Sequence, residues 1–266
     1  MKYAFMSFSC PKLGLDAFLA AAAHYGYEGV EPRIACGHQH GIELAASPVA
    51  RRAARRTAEK SGIALCCLAT SCSYANPATS EAQVAETLRA IDLAGDVGSP
   101  RLRVFGGKIP DGVSRDQAME SVVRSLQGVA DRAAARGVTV CMETHDSWCD
   151  PAHVAEVMRR VNHPAVAVNW DIMHPVRVAG ATMDAAFAAL RPWVRHVHFH
   201  DGKTEKGKLV FTPIGTGEVD HRRAVALLKG VGYEGFLSGE WIDWEPYESH
   251  LPCELATMRR YEQESG

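Results

Sequence analysis

Four side chains that could bind a cation stand at the ends of apolar runs in the second half of the chain. VTVCMETH carries Glu143, and VAVNWDIMHP carries Asp171 with His174 three residues on. VRHVHFHDGK carries His198, and GFLSGEW carries Glu240. Two glutamates, an aspartate and an imidazole form an oxygen-rich donor set with one nitrogen. Such a set suits Mn2+, Mg2+, Co2+ or Zn2+ better than copper or an iron–sulfur cluster, so one divalent metal ion is the expected cofactor. A cation also explains how three carboxylates share one cleft, since like charges alone would force one of them to take up a proton. Singly, each residue has a plainer use: an acid at a strand end often caps the next helix, and a strand histidine is often hydrogen-bonded core. The coincidence on four successive apolar runs favours a shared site.

The chemistry expected of this set is proton abstraction from a carbon next to a carbonyl or hydroxyl held on the metal. Glu143 and Glu240 are the candidate catalytic acid–base pair, one on each side of that carbon. His174 and His145 are the expected holders of substrate hydroxyls, with His200 and Lys203 as further substrate contacts. Return of the proton to the opposite face gives an epimer, and return to the neighbouring carbon gives an isomer. An isomerase or epimerase of a carbohydrate-like small molecule needs only the two carboxylates, which favours it. The alternative is a dehydratase of a keto-polyol, which also needs an acid for the leaving hydroxyl. The histidines expected at the mouth (His145, His174, His196, His200) could supply one.

These residues need a scaffold that brings four strand ends to one point. Eight runs have strand character: Tyr3–Ser9, Gly29–Ile34, Ala64–Ser71, Arg101–Gly107, Val138–His145, Val166–Asp171, Val194–Asp201 and Gly235–Trp241. Most are largely apolar, as parallel strands covered on both faces should be. Period-two alternation puts His196, His198 and His200 on one face of the seventh. Helical patterns fill the gaps. Asp16–Tyr25 opens on an aspartate cap, and Ser47–Lys60 on Ser-Pro. Ser80–Asp96 opens with Ser80 as N-cap and Gln83 closing a capping box. Arg115–Arg136 is ended by Gly137; Asp150–Val161, Thr182–Leu190, Asp220–Gly230 and Pro246–Glu264 follow.

Strand and helix thus alternate eight times with no linker or charge block between them, and Tyr-Glu-Gly leads into a strand at both Tyr27 and Tyr233. The expected fold is α/β, a single (β/α)8 (TIM) barrel domain over residues 1–266, with a doubly wound sheet as the competitor. Functional side chains of such barrels gather at the carboxyl ends of the strands. The intervals between the four candidates are 28, 27 and 42 residues, each one strand–helix step.

Composition bounds the partners. The 266 residues are 47% hydrophobic and 23% charged with net charge -2, which gives no footprint for nucleic acid or an anionic membrane. The eight cysteines contain no C-x-x-C pair, and several lie in apolar runs such as ALCCLA. They are expected to be reduced. No leader or membrane-length apolar window is seen, so the cytoplasm is the expected compartment. A homo-oligomer is compatible with all of this.

The same motifs resemble the xylose isomerase-like sugar phosphate isomerase/epimerase superfamily, from the first strand to the last helix. Matching features are Glu28–Glu31 in the second strand, Glu143 in CMETHD, Asp171 and His174 in WDIMHP, and His198 and Asp201 in the seventh strand. The Gly215, Gly217, Glu218 turn and the final Tyr233–Glu240 segment also match. The resemblance implies that Glu143, Asp171, His198 and Glu240 bind the metal and that His174 contacts substrate. The chain departs at His200, where many members have lysine, and in DGKTEKGKLVF, where the tagatose-epimerase-like branch carries an arginine. Metal-dependent apurinic-site endonucleases share the fold, but they use extra histidines and an Asp-x-His pair, where this chain reads Val219-Asp220-His221. A non-catalytic sugar-binding barrel is a third reading. The Gly215–Glu218 turn with Lys203, Lys206 and Lys208 lies where barrels often hold phosphate.

Overall fold

The computed structural model describes residues 1–265. Its core is a parallel sheet of nine strands: β1 (Lys2–Met6), β2 (Gly29–Glu31), β3 (Ala64–Leu65), β4 (Leu68–Ser73), β5 (Arg101–Phe105), β6 (Thr139–Glu143), β7 (Val166–Asp171), β8 (Val194–Phe199) and β11 (Phe236–Gly239), in the order β3-β2-β1-β11-β8-β7-β6-β5-β4. The two ends of that order are pieces of one segment. The expected third strand, Ala64–Ser71, is broken at Cys66–Cys67, so that β3 pairs with β2 and β4 with β5. A parallel bridge between Arg33 and Ala69 joins β2 to β4. Ala69 N–H donates to the Pro32 carbonyl (2.9 Å) and Ile34 N–H to the Ala69 carbonyl (3.0 Å). The sheet is thus a barrel of eight strand positions, one of them broken, and the break gives β4 the bend it needs to meet both neighbours.

Nine helices surround it among the described residues: α1 (Leu15–Tyr25), α2 (Pro48–Ser61), α3 (Ser80–Val97), α4 (Arg115–Ala135), α5 (Pro151–Val161), a short α6 (Met173–Arg177), α7 (Met183–Leu190), α8 (His221–Gly230) and α9 (Tyr247–Glu264). Each docks one stripe. In α4 the buried Ala118, Val122, Leu126, Val129 and Ala133 recur at helical spacing against the sheet. Ser47, Asp150, Thr182 and Asp220 cap α2, α5, α7 and α8 with side-chain oxygens.

Two expected caps are corrected. Gly14, not Asp16, precedes α1, and Asp16 lies in its first turn, where a carboxylate suits the positive end of the helix. Thr79, not Ser80, precedes α3, and no capping box forms there. Gln83 instead accepts from Ser73 N–H at 3.1 Å, tying the helix to the end of β4. The reciprocal box forms at Ser114 and Gln117, at the head of α4. The lysine-rich loop after the seventh strand position is an antiparallel hairpin, β9 (Asp201–Glu205) with β10 (Lys208–Thr212), turned by Lys206 and Gly207 at positive φ. No described helix is long and apolar enough to cross a membrane.

Candidate metal centre

The carboxyl ends of β6, β7, β8 and β11 bring Glu143, Asp171, His198 and Glu240 together. One ligand atom from each lies within 4.8 Å of the others, and all four residues are buried. Register explains the convergence: Asp171 pairs with His198 across β7 and β8, and His198 with Ser238 across β8 and β11. Glu240 follows two residues later.

Local chemistry aims each donor. Asp171 Oδ1 accepts from Met173 N–H (2.8 Å) and His174 N–H (3.2 Å), capping the turn that begins α6. That commitment leaves Oδ2 facing the cavity, 2.9 Å from His200 Nε2. It is also a structural reason for the Asp-x-x-His spacing, since the histidine sits on the turn its aspartate caps. His198 Nδ1 lies 3.1 Å from Glu240 Oε2 and 3.6 Å from Glu143 Oε2. Its Nε2 faces both oxygens of Glu31 across the barrel, at 3.1 and 3.2 Å. With Nε2 turned to Glu31, Nδ1 is the nitrogen that faces the other three donors, and a cation binding there would displace the proton that Glu143 and Glu240 favour on it.

The electrostatics are those of a site short of positive charge. Burial alone would raise the Glu143 carboxyl, but the Arg103 guanidinium (Nε to Oε2 3.0 Å) and His198 hold it below its usual range. Asp171 is likewise held down against burial by His200 and His174. Burial would lower His198, yet Glu31, Glu143 and Glu240 push it well up. Both Glu143 oxygens, Asp171 Oδ2 and His198 Nδ1 are buried and, although charged neighbours stand within 2.9–3.1 Å of three of them, none completes a well-directed hydrogen bond. Buried polar atoms rarely go unpaired, and here they all point at one spot. The donor set fits a divalent cation of the hard or borderline kind.

Around this cluster, His145, His174 and His200 form a row of edge-on rings, with centroids 4.5 and 5.8 Å apart in turn. Burial opposes the charge on His145, but the Asp146 hydrogen bond and the fields of Glu143, Asp146 and Glu240 lift it to about 9. His200 Nδ1 donates to the Glu240 carbonyl at 2.9 Å. Lys203 lies on the exposed face of the hairpin and is not among the groups gathered here.

His196 is not at the mouth. It is fully buried one pleat below His198, with Nε2 2.7 Å from Glu31 Oε2. His40, in the loop after β2, is buried against the Arg33 carbonyl and Ile42 N–H. Trp148 is fully buried, and its Nε1–H donates to the Gly107 carbonyl. The glycine turn does not offer free amides to a phosphate. Asp201 takes them, accepting from Gly202, Gly215, Gly217 and Val219 N–H at 2.9–3.2 Å. A Cβ at position 217 would lie 2.1 Å from Asp201 Oδ1, which explains the glycine. Asp220 caps α8, and the His221 ring is turned to the Val219 and His200 carbonyls (3.0 and 3.1 Å). Neither is free to extend the site to further metals. A surface depression of 610 Å3 beside Gln117 and Arg124 gathers no such donors.

Sequence reasoning did not assign Arg103, nor the Glu31 clamp on His196 and His198. A charged residue inside an apolar strand was the available signal for both.

A Xenopus laevis protein described as a hydroxypyruvate isomerase is 23% identical over 164 residues, 57% of this chain and 58% of the relative. A 3-dehydroshikimate dehydratase of Bacillus anthracis is 26% identical over 115 residues, 42% of this chain and 41% of that protein. The matches thus span little more than half of the curated relatives, or less. Among solved structures, the IolI protein with a bound zinc atom superposes with a TM-score of 0.82 at 17% identity, covering 100% of this chain and 98% of that one. The xylose isomerase-like TIM barrel family model matches residues 19–260, and the chain belongs to that family.

Proposed function

We propose that this protein is a divalent-metal-dependent isomerase or epimerase of a carbohydrate-like substrate, working by proton transfer at a carbon beside a carbonyl. The observation that carries the reading is the convergence of Glu143, Asp171, His198 and Glu240 with buried, unpartnered donor atoms. When bound there, a divalent ion supplies Lewis-acid stabilisation of the negative charge that develops next to that carbon. The residues do the rest. Glu143 is held ionised by Arg103, the state a base requires. Glu240, from the far strand, is the partner that returns the proton. His174 and His200 form a polar rim for substrate hydroxyls, and Trp148, after β6, packs against Gly106 and Gly107 at the end of β5.

A dehydratase is the second reading, and one observation favours it. The Asp146 carboxylate, 3.2 Å from its Nδ1, favours a proton on His145, which stands outside the four-donor cluster, so it could protonate a departing hydroxyl. Relatives of both kinds support the shared first step. The deciding test incubates metal-loaded protein with ketoses, inososes and keto-acids in deuterated water. Deuterium at carbon without mass loss supports the isomerase or epimerase. Loss of one water with new ultraviolet absorbance replaces it with the dehydratase, and no exchange with any substrate refutes both.

A further inference from the structure

Resting on that reading of the reaction, we infer that Arg33 forms an anion subsite at the barrel mouth and that the substrate carries a carboxylate. On β2 the interior face alternates Glu31, then Arg33. Glu31 reaches His196 and His198 inside the barrel, so Arg33 stands one pleat, about 6–7 Å, nearer the mouth. There it senses Arg103 and Glu240, two groups of the metal centre's wall and rim.

The guanidinium is buried, with 7% of the residue exposed. Its Nη1 donates to the Ile34 and Ala69 carbonyls and its Nη2 to Ser71 Oγ. None of these acceptors carries charge. Among the described residues Arg33 makes no ion pair, whereas Arg103 beside it is matched by Glu143. Burial and the neighbouring Arg103 both work against the Arg33 charge, and a guanidinium cannot shed its proton to escape. Buried charges are ordinarily paired. A built-in cation without a partner, beside an exposed serine hydroxyl and over a proton-transfer centre, is what a bidentate carboxylate would complete. A neutral ketose would leave the charge unanswered.

The test is direct binding to Zn2+-loaded full-length protein, by calorimetry or ligand-observed NMR. The probes are hydroxypyruvate and dihydroxyacetone, which differ in having a carboxylate or a hydroxymethyl group. Wild-type protein should prefer hydroxypyruvate by about tenfold to a hundredfold, the range of one charge-assisted hydrogen-bonded pair. Arg33→Gln should erase that preference while Zn2+ affinity and dihydroxyacetone binding stay within twofold, and Arg33→Lys should restore part of it. Equal binding of the two probes by wild type would overturn the subsite. So would an Arg33→Gln protein that melts earlier but keeps the preference, because the arginine would then only brace the β2–β4 junction. Binding does not depend on turnover. A protein that shows the preference without any carbon-bound hydrogen exchange keeps the subsite and loses the isomerase reading. Exchange of hydroxypyruvate that is undiminished in Arg33→Gln does the reverse.

Discussion

Glu31→Gln should weaken divalent-metal binding about tenfold to a hundredfold while leaving the barrel folded. The Glu31 carboxylate takes the Nε2 protons of two buried imidazoles, from His196 at 2.7 Å and from His198 at 3.1 and 3.2 Å. Glutamine keeps the shape but has one acceptor oxygen and no charge, so one ring loses its acceptor and the other a charged partner. Outer-sphere partners of ligand histidines are worth about 10–100-fold in affinity, or roughly 1.4–2.7 kcal/mol. The donor left unsatisfied costs about 1–3 kcal/mol of fold stability, a modest fall in melting temperature for a chain of this size. Calorimetric titration with Mn2+ or Zn2+, alongside circular dichroism, reads the two effects separately. The deficit should widen as pH rises. At low pH, Glu31 also holds a competing proton on His198, so removing it lifts some of that competition. Unchanged affinity in a folded Glu31→Gln protein, across that pH range, would refute the claim that Glu31 aims His198.

Further outcomes follow from other sites. Glu143→Gln and Glu240→Gln should each abolish deuterium exchange at the substrate carbon even where metal is retained, as read by NMR in deuterated water; full exchange in either removes it from the proton path. Glu254, on α9, is buried and, among the described residues, accepts only from Ile214 N–H (2.9 Å), and burial, with Asp201 and Glu245 adding, pushes it up to about 7. Its folded value is raised, so its contribution is fully present below about pH 4.5 and is lost as pH rises through 7, a swing of roughly 3 kcal/mol. Melting curves of Glu254→Gln against wild type should diverge in favour of the variant between pH 5 and 8; parallel curves would contradict the shift. The eight cysteines are free, and Cys36 and Cys253 are the exposed ones. Alkylation without reductant should therefore label two thiols in the native protein and eight after denaturation, counted by mass spectrometry.

The candidate ligands were legible because each is a local anomaly: a charged or imidazole group ending an apolar strand, on four consecutive strand–helix units. Strand and helix positions were legible from the same periodicities, and in a parallel barrel the order of the strands follows from the order of the chain. Depth was not. Period-two alternation places His196, His198 and His200 on one face but cannot say which one meets the cavity. That depended on Glu31, 165 and 167 residues away. Arg103 lay inside a strand otherwise read as core, and only its approach to Glu143 gives it a role. The glycine turn read locally as a phosphate cradle, because nothing in its own residues shows that Asp201 already fills it. The break at Cys66–Cys67 and the Arg33–Ala69 bridge were hidden for a related reason. Closing a ring of strands is a condition on the whole sheet, and no single strand carries it. Sequence alone therefore determined which side chains end the strands around the candidate site, while tertiary packing decided how they are held, which nitrogen of His198 faces the cluster, and which charge still lacks a partner.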